Sequence, residues 1–168
     1  PDLPLSQKRN IELTQYGIYG QATIKPVSWA RLIIGGRMTW WDNETIVDRM
    51  PGVTKSSTSI DNKFTPSLAG LVDVSNHQTL YGSWSSIFVP QEEVKSDGSV
   101  VQSRIGEQYE IGLNGKYLND NIFTHFALFH IVDDNRATED PNDEDFSVAG
   151  GKVRAQGFDG ELRHRPVE

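Results

Sequence analysis

Serine and glutamate residues are concentrated in two neighbouring segments of the chain and are the first candidates for catalysis. Ser83, Ser85 and Ser86 fall within one short segment, and Glu107 and Glu110 follow in the next. A serine nucleophile needs an adjacent general base, and the sequence lacks the G-x-S-x-G, H-E-x-x-H and P-loop motifs. Side chains that line a wet surface explain the serines better, and hydrogen bonding on such a surface is the favoured role of the carboxylates. The sequence therefore predicts a protein that is not an enzyme.

The four histidines do not predict a metal site. His125 and His130 are five residues apart in a strand-like segment, so their side chains would point to opposite faces. His77 lies in a predicted turn, and His164 lies near the C-terminal end. The sequence contains no cysteine, so neither a disulfide nor a cysteine-based metal site can form.

The acidic residues are concentrated in 133–145, which holds seven of the 23 aspartates and glutamates and a single arginine. Within it, the spacing of Asp140, Asn142 and Glu144 is only loosely that of a calcium-binding EF-hand loop, and the required glycine is missing. A solvated external loop is favoured, and a divalent-cation site is the alternative. The formal net charge of −7 argues against a nucleic-acid partner.

The element that would position these side chains is a hairpin over 106–135, whose two arms meet at the turn 118–121. Asn and Asp suit such a turn because they tolerate left-handed backbone angles. The first arm alternates strictly, which predicts a strand with one apolar and one polar face. The apolar face would carry Tyr109, Ile111, Leu113, Gly115 and Tyr117, and the polar face Glu110, Gly112, Asn114 and Lys116. The second arm is apolar at both parities, so the sequence does not assign the faces of 122–132.

The same alternation extends over the chain and predicts an all-β, antiparallel, up-and-down meander of about seven strands without a helix. The predicted strands cover 11–24, 29–43, 64–73, 79–89, the two hairpin arms and 146–163. Short turns at 25–28, 74–77 and 118–121 alternate with polar loops at 44–62, 90–105 and 136–145, with a further turn signal at 97–98. All short turns would fall at one edge of the sheet and all long loops at the other.

Two architectures fit such strands. A soluble sandwich would pack Ile34, Tyr109 and Leu113 against a second sheet. A transmembrane barrel would turn the same apolar face to lipid and line a wet lumen with the polar face, with short turns on one side and long loops on the other. The loop asymmetry favours the barrel. No apolar run approaches the roughly 18 residues of a transmembrane helix.

Three segments carry a resemblance to a known family. They are LYGSWSSIFVPQ at 80–91, the hairpin pieces GEQYEIGL at 106–113 and ALFHI at 127–131, and GGKVRAQGFDGEL at 150–162. In this order they resemble barrel strands of TonB-dependent ferric-siderophore receptors, especially those for ferric hydroxamates of the coprogen type and for ferric pyoverdines. Gly160 departs from the family pattern, which often has a larger apolar residue there.

The resemblance implies that residues 1–168 are part of the barrel domain of a 22-stranded, plugged transporter, with neither the plug domain nor the C-terminal strand. It implies a Gram-negative outer-membrane protein that imports a ferric siderophore with energy from TonB, delivered through the plug. Receptors of the same fold for haem, cobalamin or an oligosaccharide are the alternative. Iron would arrive already bound by the siderophore, so no cofactor is expected. Lipid and lipopolysaccharide would surround the barrel. In the alternative in which the acidic loop binds divalent ions, those ions would bridge it to lipopolysaccharide.

The candidate ligand-binding residues are Arg37, Trp41, Gln91 and Arg104. Trp41 would point into the lumen from the loop end of the second strand, and Arg37, below it on the same face, would meet an anionic ferric chelate. Bracing of the plug is the alternative role for both. Gln91 and Arg104 stand at the two ends of the predicted loop 90–105. The aromatic residues predicted to face lipid are Trp40, Trp84 and Phe88, since such residues are enriched at membrane interfaces.

Overall fold

The computed structural model describes residues 7–49, 52–93, 95–96 and 99–165, and within them seven strands form one sheet in sequential order. The strands are β1 (Gln7–Val27), β2 (Ala30–Arg49), β3 (Gly52–Ser75), β4 (Gln78–Val89), β5 (Arg104–Tyr117), β6 (Ile122–Asp140) and β7 (Asp143–His164). The predicted all-β antiparallel meander is confirmed. Two compact units share these strands, one formed by 1–19 and 37–64, the other by 20–36 and 65–168. The described residues include no helix long and apolar enough to cross a membrane.

Two of the three predicted loops are strand instead. β2 and β3 continue through most of 44–62, and a two-residue turn at Pro141 and Asn142 replaces the predicted loop 136–145. The prediction was wrong because it equated the loss of apolar alternation with the loss of a strand. An exposed hairpin needs only its backbone ladder and residues that suit extended angles, such as the threonines and valines of these extensions. Only the predicted loop between β4 and β5 stays a loop, and its turn signal at 97–98 lies outside the described residues.

The short connections lie where the sequence places them, to within three residues. They occupy 28–29, 76–77 and 118–121. In the third turn Leu118, Asn119 and Asp120 all have left-handed backbone angles, with φ of 52°, 54° and 66°. The Asn and Asp residues were predicted to do this, whereas a leucine rarely adopts such a φ. The turn is closed by a hydrogen bond of 3.2 Å from Asn121 N to Leu118 O.

The register of β4, β5 and β6 assigns the two faces of the sheet. Leu113 lies opposite Leu80 on one side and Phe126 on the other, and Ile111 lies opposite Leu128. Side chains directly opposite each other in adjacent strands share a face. Phe126 and Leu128 therefore belong to the apolar face, where they are 60% and 62% exposed. This assigns the faces of β6, which the sequence left open.

No second sheet covers the apolar face within the described part of the chain. Ile34 and Tyr109, which a soluble sandwich would bury, are each 45% exposed. Further large exposed side chains of this face are Leu68, Val72, Leu80, Ile111, Phe158 and Leu162. A contiguous apolar surface of this kind needs a partner or a non-aqueous solvent. The sandwich alternative is therefore wrong for these strands.

Candidate functional site

A row of polar side chains crosses five strands on the polar face, close to the short turns. Arg31 forms an ion pair with Asp73, and Asp73 Oδ1 also accepts a hydrogen bond of 2.7 Å from Thr79 Oγ1. Between the next two strands, β5 and β6, His125 Nδ1 lies 2.7 Å from Asn114 Oδ1. The register places Asp73 opposite Thr79, Thr79 opposite Asn114, and Asn114 opposite His125. The row is therefore continuous from β2 to β6.

A polar cavity of roughly 710 Å³ adjoins this row. Its walls include Arg31, Asp73, Gln78, Thr79 and Lys116. Both signs of charge and several neutral hydrogen-bonding groups line it, so it suits water or another polar surface rather than an apolar ligand.

Tyr81 and Glu110 form a second cluster on the polar face. The Tyr81 hydroxyl donates a hydrogen bond of 2.6 Å to Glu110 Oε1, and Gln108 Nε2 lies 3.4 Å from Glu110 Oε2. The Tyr81 ring stacks on the His125 imidazole, with centroids 6.0 Å apart and planes inclined by 16°. The ring also occupies the space above Gly112, where a Cβ would come within 2.5 Å of it. The predicted hydrogen-bonding role of Glu110 on the polar face is confirmed.

The other candidates for acid–base or nucleophilic chemistry separate onto different faces. Glu107 lies opposite Ser86 and Val132, and its Oε2 accepts a hydrogen bond of 2.8 Å from the Tyr109 hydroxyl. Glu107 and Glu110 therefore do not form a carboxylate pair. Ser83 and Ser85 lie on the polar face as predicted, since they are opposite Glu110 and Gln108, whereas Ser86 lies on the other face. The histidines likewise separate, with His125 opposite Asn114 and His130 opposite Tyr109.

Arg37 and Trp41 lie on the same face of β2, in the first compact unit, with Thr39 between them. Arg37 Nε donates a hydrogen bond of 3.1 Å to Thr39 Oγ1, and the Arg37 guanidinium lies over Gly17. Trp41 is only 3% exposed, whereas Arg37 is exposed. Trp40 points to the other face, as predicted, and stacks on Tyr16 at 5.3 Å with an interplanar angle of 11°. Because β2 runs on to Arg49, Trp41 lies inside the strand and not at its loop end.

Gln91 and Arg104 lie in the second compact unit, at the two ends of the connection between β4 and β5. Gln91 is 7% exposed, and its amide makes three hydrogen bonds, to Gln102 O, Asn135 O and Ala137 N. Arg104 forms an ion pair with Asp133 of β6, with Nε 3.2 Å from Asp133 Oδ1. Both side chains are thus engaged with β6. The assignment of Arg37, Trp41, Gln91 and Arg104 to ligand binding stays a prediction.

The acidic residues of 136–145, which the sequence predicted to form a loop, lie around the β6–β7 turn. The backbone N–H of Asn142 donates to Asp140 Oδ1 at 2.9 Å, and that of Asp145 donates to Asp143 Oδ1 at 3.2 Å. Among the described residues, no group of three or more His, Cys, Asp or Glu side chains is arranged to hold a metal ion. These carboxylates stabilise the turn by local hydrogen bonds.

The sequence placed Asn114 on the polar face but did not single out Asp73, Thr79 and Tyr81, which form much of the polar network. A signal was present, because Thr79, Tyr81, Ser83 and Ser85 alternate with Leu80, Gly82 and Trp84. Hydrogen-bonding groups at every second position indicate a polar face. Their pairing across strands needed the register, which alternation alone does not give.

The sheet therefore has one exposed apolar face and one face of partnered polar groups. This is the wall of an outer-membrane β-barrel, in which strands turn apolar side chains to lipid and polar ones to the interior.

Comparison with known proteins identifies the family. Residues 1–165 match the model of the TonB dependent receptor-like β-barrel, and the chain belongs to this family. It is 33% identical to the ferric-pyoverdine M114 receptor PbuA of Pseudomonas sp. (strain M114), over 95% of this chain and 20% of that protein. It is 31% identical to the ferrichrome outer membrane transporter/phage receptor of Escherichia coli (strain K12), over 89% of this chain and 19% of that protein.

Solved structures agree with the fold. The alcaligin outer membrane receptor FauA from Bordetella pertussis superposes with a TM-score of 0.81 and 25% identity, over 95% of this chain and 28% of that chain. The ferric-catecholate import receptor Fiu from E. coli K12 shares the fold at 15% identity, with a TM-score of 0.78, over 95% of this chain and 26% of that chain. The family comprises outer-membrane receptors and not enzymes, and this chain is an outer-membrane receptor segment. It spans about a fifth of the length of the curated relatives it matches.

Proposed function

We propose that these residues are part of a receptor that binds a ferric siderophore and imports it in a TonB-dependent manner. The structural observation that carries the proposal is the contrast between the two faces of the sheet. The apolar face is exposed, and the side chains of the polar face interact with one another through the Arg31–Asp73 ion pair, the Tyr81–Glu110 hydrogen bond and neighbouring contacts. Such a wall suits a barrel with a wet interior. The printed names of the two curated relatives, a ferric-pyoverdine receptor and a ferrichrome transporter, support a ferric-siderophore cargo.

The complete protein, in this proposal, is a 22-stranded barrel with a plug inside it, and the plug transmits energy from TonB. Residues 1–168 supply barrel strands only. Lipid and lipopolysaccharide surround the apolar face. Iron enters as cargo within the siderophore, so the protein needs no resident cofactor. Haem, cobalamin or an oligosaccharide is the alternative cargo.

The test is a titration of the complete receptor in detergent, followed by tryptophan fluorescence. We expect quenching by a ferric hydroxamate or ferric pyoverdine at submicromolar concentration, and none by the iron-free siderophore, haem or cobalamin. Trp41→Phe would show whether this buried indole reports the binding. Quenching by haem or cobalamin alone would leave the barrel assignment intact but identify a different cargo. The absence of a response to any ferric siderophore would overturn the proposed function.

Arg37 is the residue we propose to meet the anionic part of the ferric chelate. It is exposed on the polar face, and an arginine fork suits oxygen-rich anions. We expect Arg37→Ala to raise the Kd of the ferric ligand about tenfold, or about 1.4 kcal/mol. Arg163→Ala is the matched control, because Arg163 is another exposed arginine of that face. Equal losses in the two variants would show a general charge effect and not a contact.

A further inference from the structure

The connection between β4 and β5 is attached to β6 by one buried side chain. Gln91 Nε2 donates hydrogen bonds to Gln102 O at 2.5 Å and to Asn135 O at 2.6 Å, and Gln91 Oε1 accepts one from Ala137 N at 2.8 Å. The first of these bonds joins the two ends of the connection, and the other two join it to β6. A primary amide has two N–H groups, and both are used here. Gln91 therefore has no donor left for a ligand.

The backbone of β6 is irregular at the point where Gln91 binds it. Asn135 has a left-handed φ of 63°, and the pairing of β6 with β7 shifts register between Asp133 and Arg136. A bulge of this kind leaves backbone groups without their ladder partners. The amide of Gln91 bonds to a carbonyl and an N–H at this bulge, as a neighbouring strand would do.

Two further contacts stabilise the same region. Val101 is buried, and its N–H donates to Glu93 O at 2.8 Å, which closes the connection upon itself. Arg104, where β5 begins, pairs with Asp133 just before the bulge. Both ends of this connection are thus held against β6, one by the hydrogen bonds of Gln91 and the other by the ion pair of Arg104.

We propose that Gln91 is a positioning residue for ligand capture. It holds the β4–β5 connection against the β6 bulge, in the conformation in which the receptor takes up its ferric ligand, and it acts through that connection without touching the ligand. The inference rests on the proposed function. It assigns Gln91 a different role from the direct ligand contact predicted from the sequence, because a buried amide whose two N–H groups are already bound offers little to a ligand.

The test is Gln91→Glu in the complete receptor, with Gln102→Glu as the matched control. Glu has the shape of Gln but places a carboxylate against two carbonyl oxygens, which repels both. Gln102 lies in the same connection and is exposed, and only its backbone carbonyl takes part in the clamp. We expect Gln91→Glu to speed amide exchange of 99–103 and 135–138 at least tenfold and to raise the Kd of the ferric ligand at least tenfold. Gln102→Glu should change neither.

Four outcomes decide between the alternatives. Faster exchange together with weaker binding supports the positioning role. Faster exchange with an unchanged Kd overturns it, and weaker binding with unchanged exchange replaces it with a direct ligand contact. If the unaltered receptor binds no ferric siderophore, the proposed function fails and the ligand part of this inference fails with it, while the exchange data still decide whether Gln91 clamps the connection. Should Gln91→Glu prevent folding, Gln91→Ala removes the amide without adding a charge and is expected to act in the same direction.

Discussion

Arginine in place of Leu128 is expected to destabilise the complete protein in a bilayer by about 2–4 kcal/mol, whereas arginine in place of Ser83 is expected to cost less than about 1 kcal/mol. Leu128 lies in a row with Ile111 and Phe158 on the exposed apolar face, so a charge there would enter hydrocarbon. Ser83 lies opposite Glu110 on the polar face, where a cation meets water and a carboxylate. The position at which arginine lowers the free energy of unfolding more lies on the face that meets lipid.

The measurement is reversible urea unfolding of the receptor refolded into phospholipid bilayers, with the two variants compared at equal ionic strength. Leu128→Ala is the control for lost apolar area, which separates the cost of the charge from the cost of the truncation. A larger loss for Ser83→Arg than for Leu128→Arg would reverse the faces of β4–β6 and remove the structural basis of the barrel assignment.

The faces of β2, β4 and β5 were predictable from sequence because alternation has a period of two and survives any error in strand length. β6 was different. Phe123 and Phe129 at one parity and Phe126 and Leu128 at the other give no alternation, so only the pairing with β5 could assign its faces. The physical cause is that both faces of this strand carry aromatic rings.

One ring of β6 on the polar face, that of Phe129, is accommodated by a glycine in the next strand. Phe129 lies over Gly157, where a Cβ would come within 2.8 Å of its ring. An apolar ring on a polar face is thus shielded by the bare backbone opposite it. A single strand read alone cannot reveal this, because the compensating residue is in β7.

The candidate site was less predictable than the fold. Arg37 and Trp41 could be placed on the polar face, but the burial of Trp41 could not, because it depends on where β2 ends. The role of Gln91 was hidden as well, because its partners are backbone groups at Gln102, Asn135 and Ala137, which no side-chain pattern marks. Polar side chains that bond to a distant backbone leave no periodic signal.

Alanine in place of Gly112 is the substitution on the polar face with the largest expected effect on stability, about 2–4 kcal/mol. A Cβ at this position would lie 2.5 Å from the Tyr81 ring, closer than any carbon contact allows, so the ring must move. The cost then combines overpacking, about 1–3 kcal/mol, with the loss of the hydrogen bond from Tyr81 to the Glu110 carboxylate, about 1.5–3 kcal/mol, partly relieved by ring rotation. Gly70→Ala is the matched control, because nothing lies within 4 Å of a Cβ there.

A double-mutant cycle shows whether the Tyr81 ring is the cause. If Gly112→Ala acts by displacing this ring, it should cost much less in a Tyr81→Ala background, where the space is empty, and the two losses should be strongly non-additive. The free energies of unfolding in bilayers supply all four corners of the cycle. Strict additivity would mean that the glycine is required by the backbone of β5 and not by the tyrosine above it. In that case the Tyr81 ring would not cause the loss in Gly112→Ala, and the stability that the Tyr81–Glu110–His125 cluster contributes would be measured by Tyr81→Ala alone.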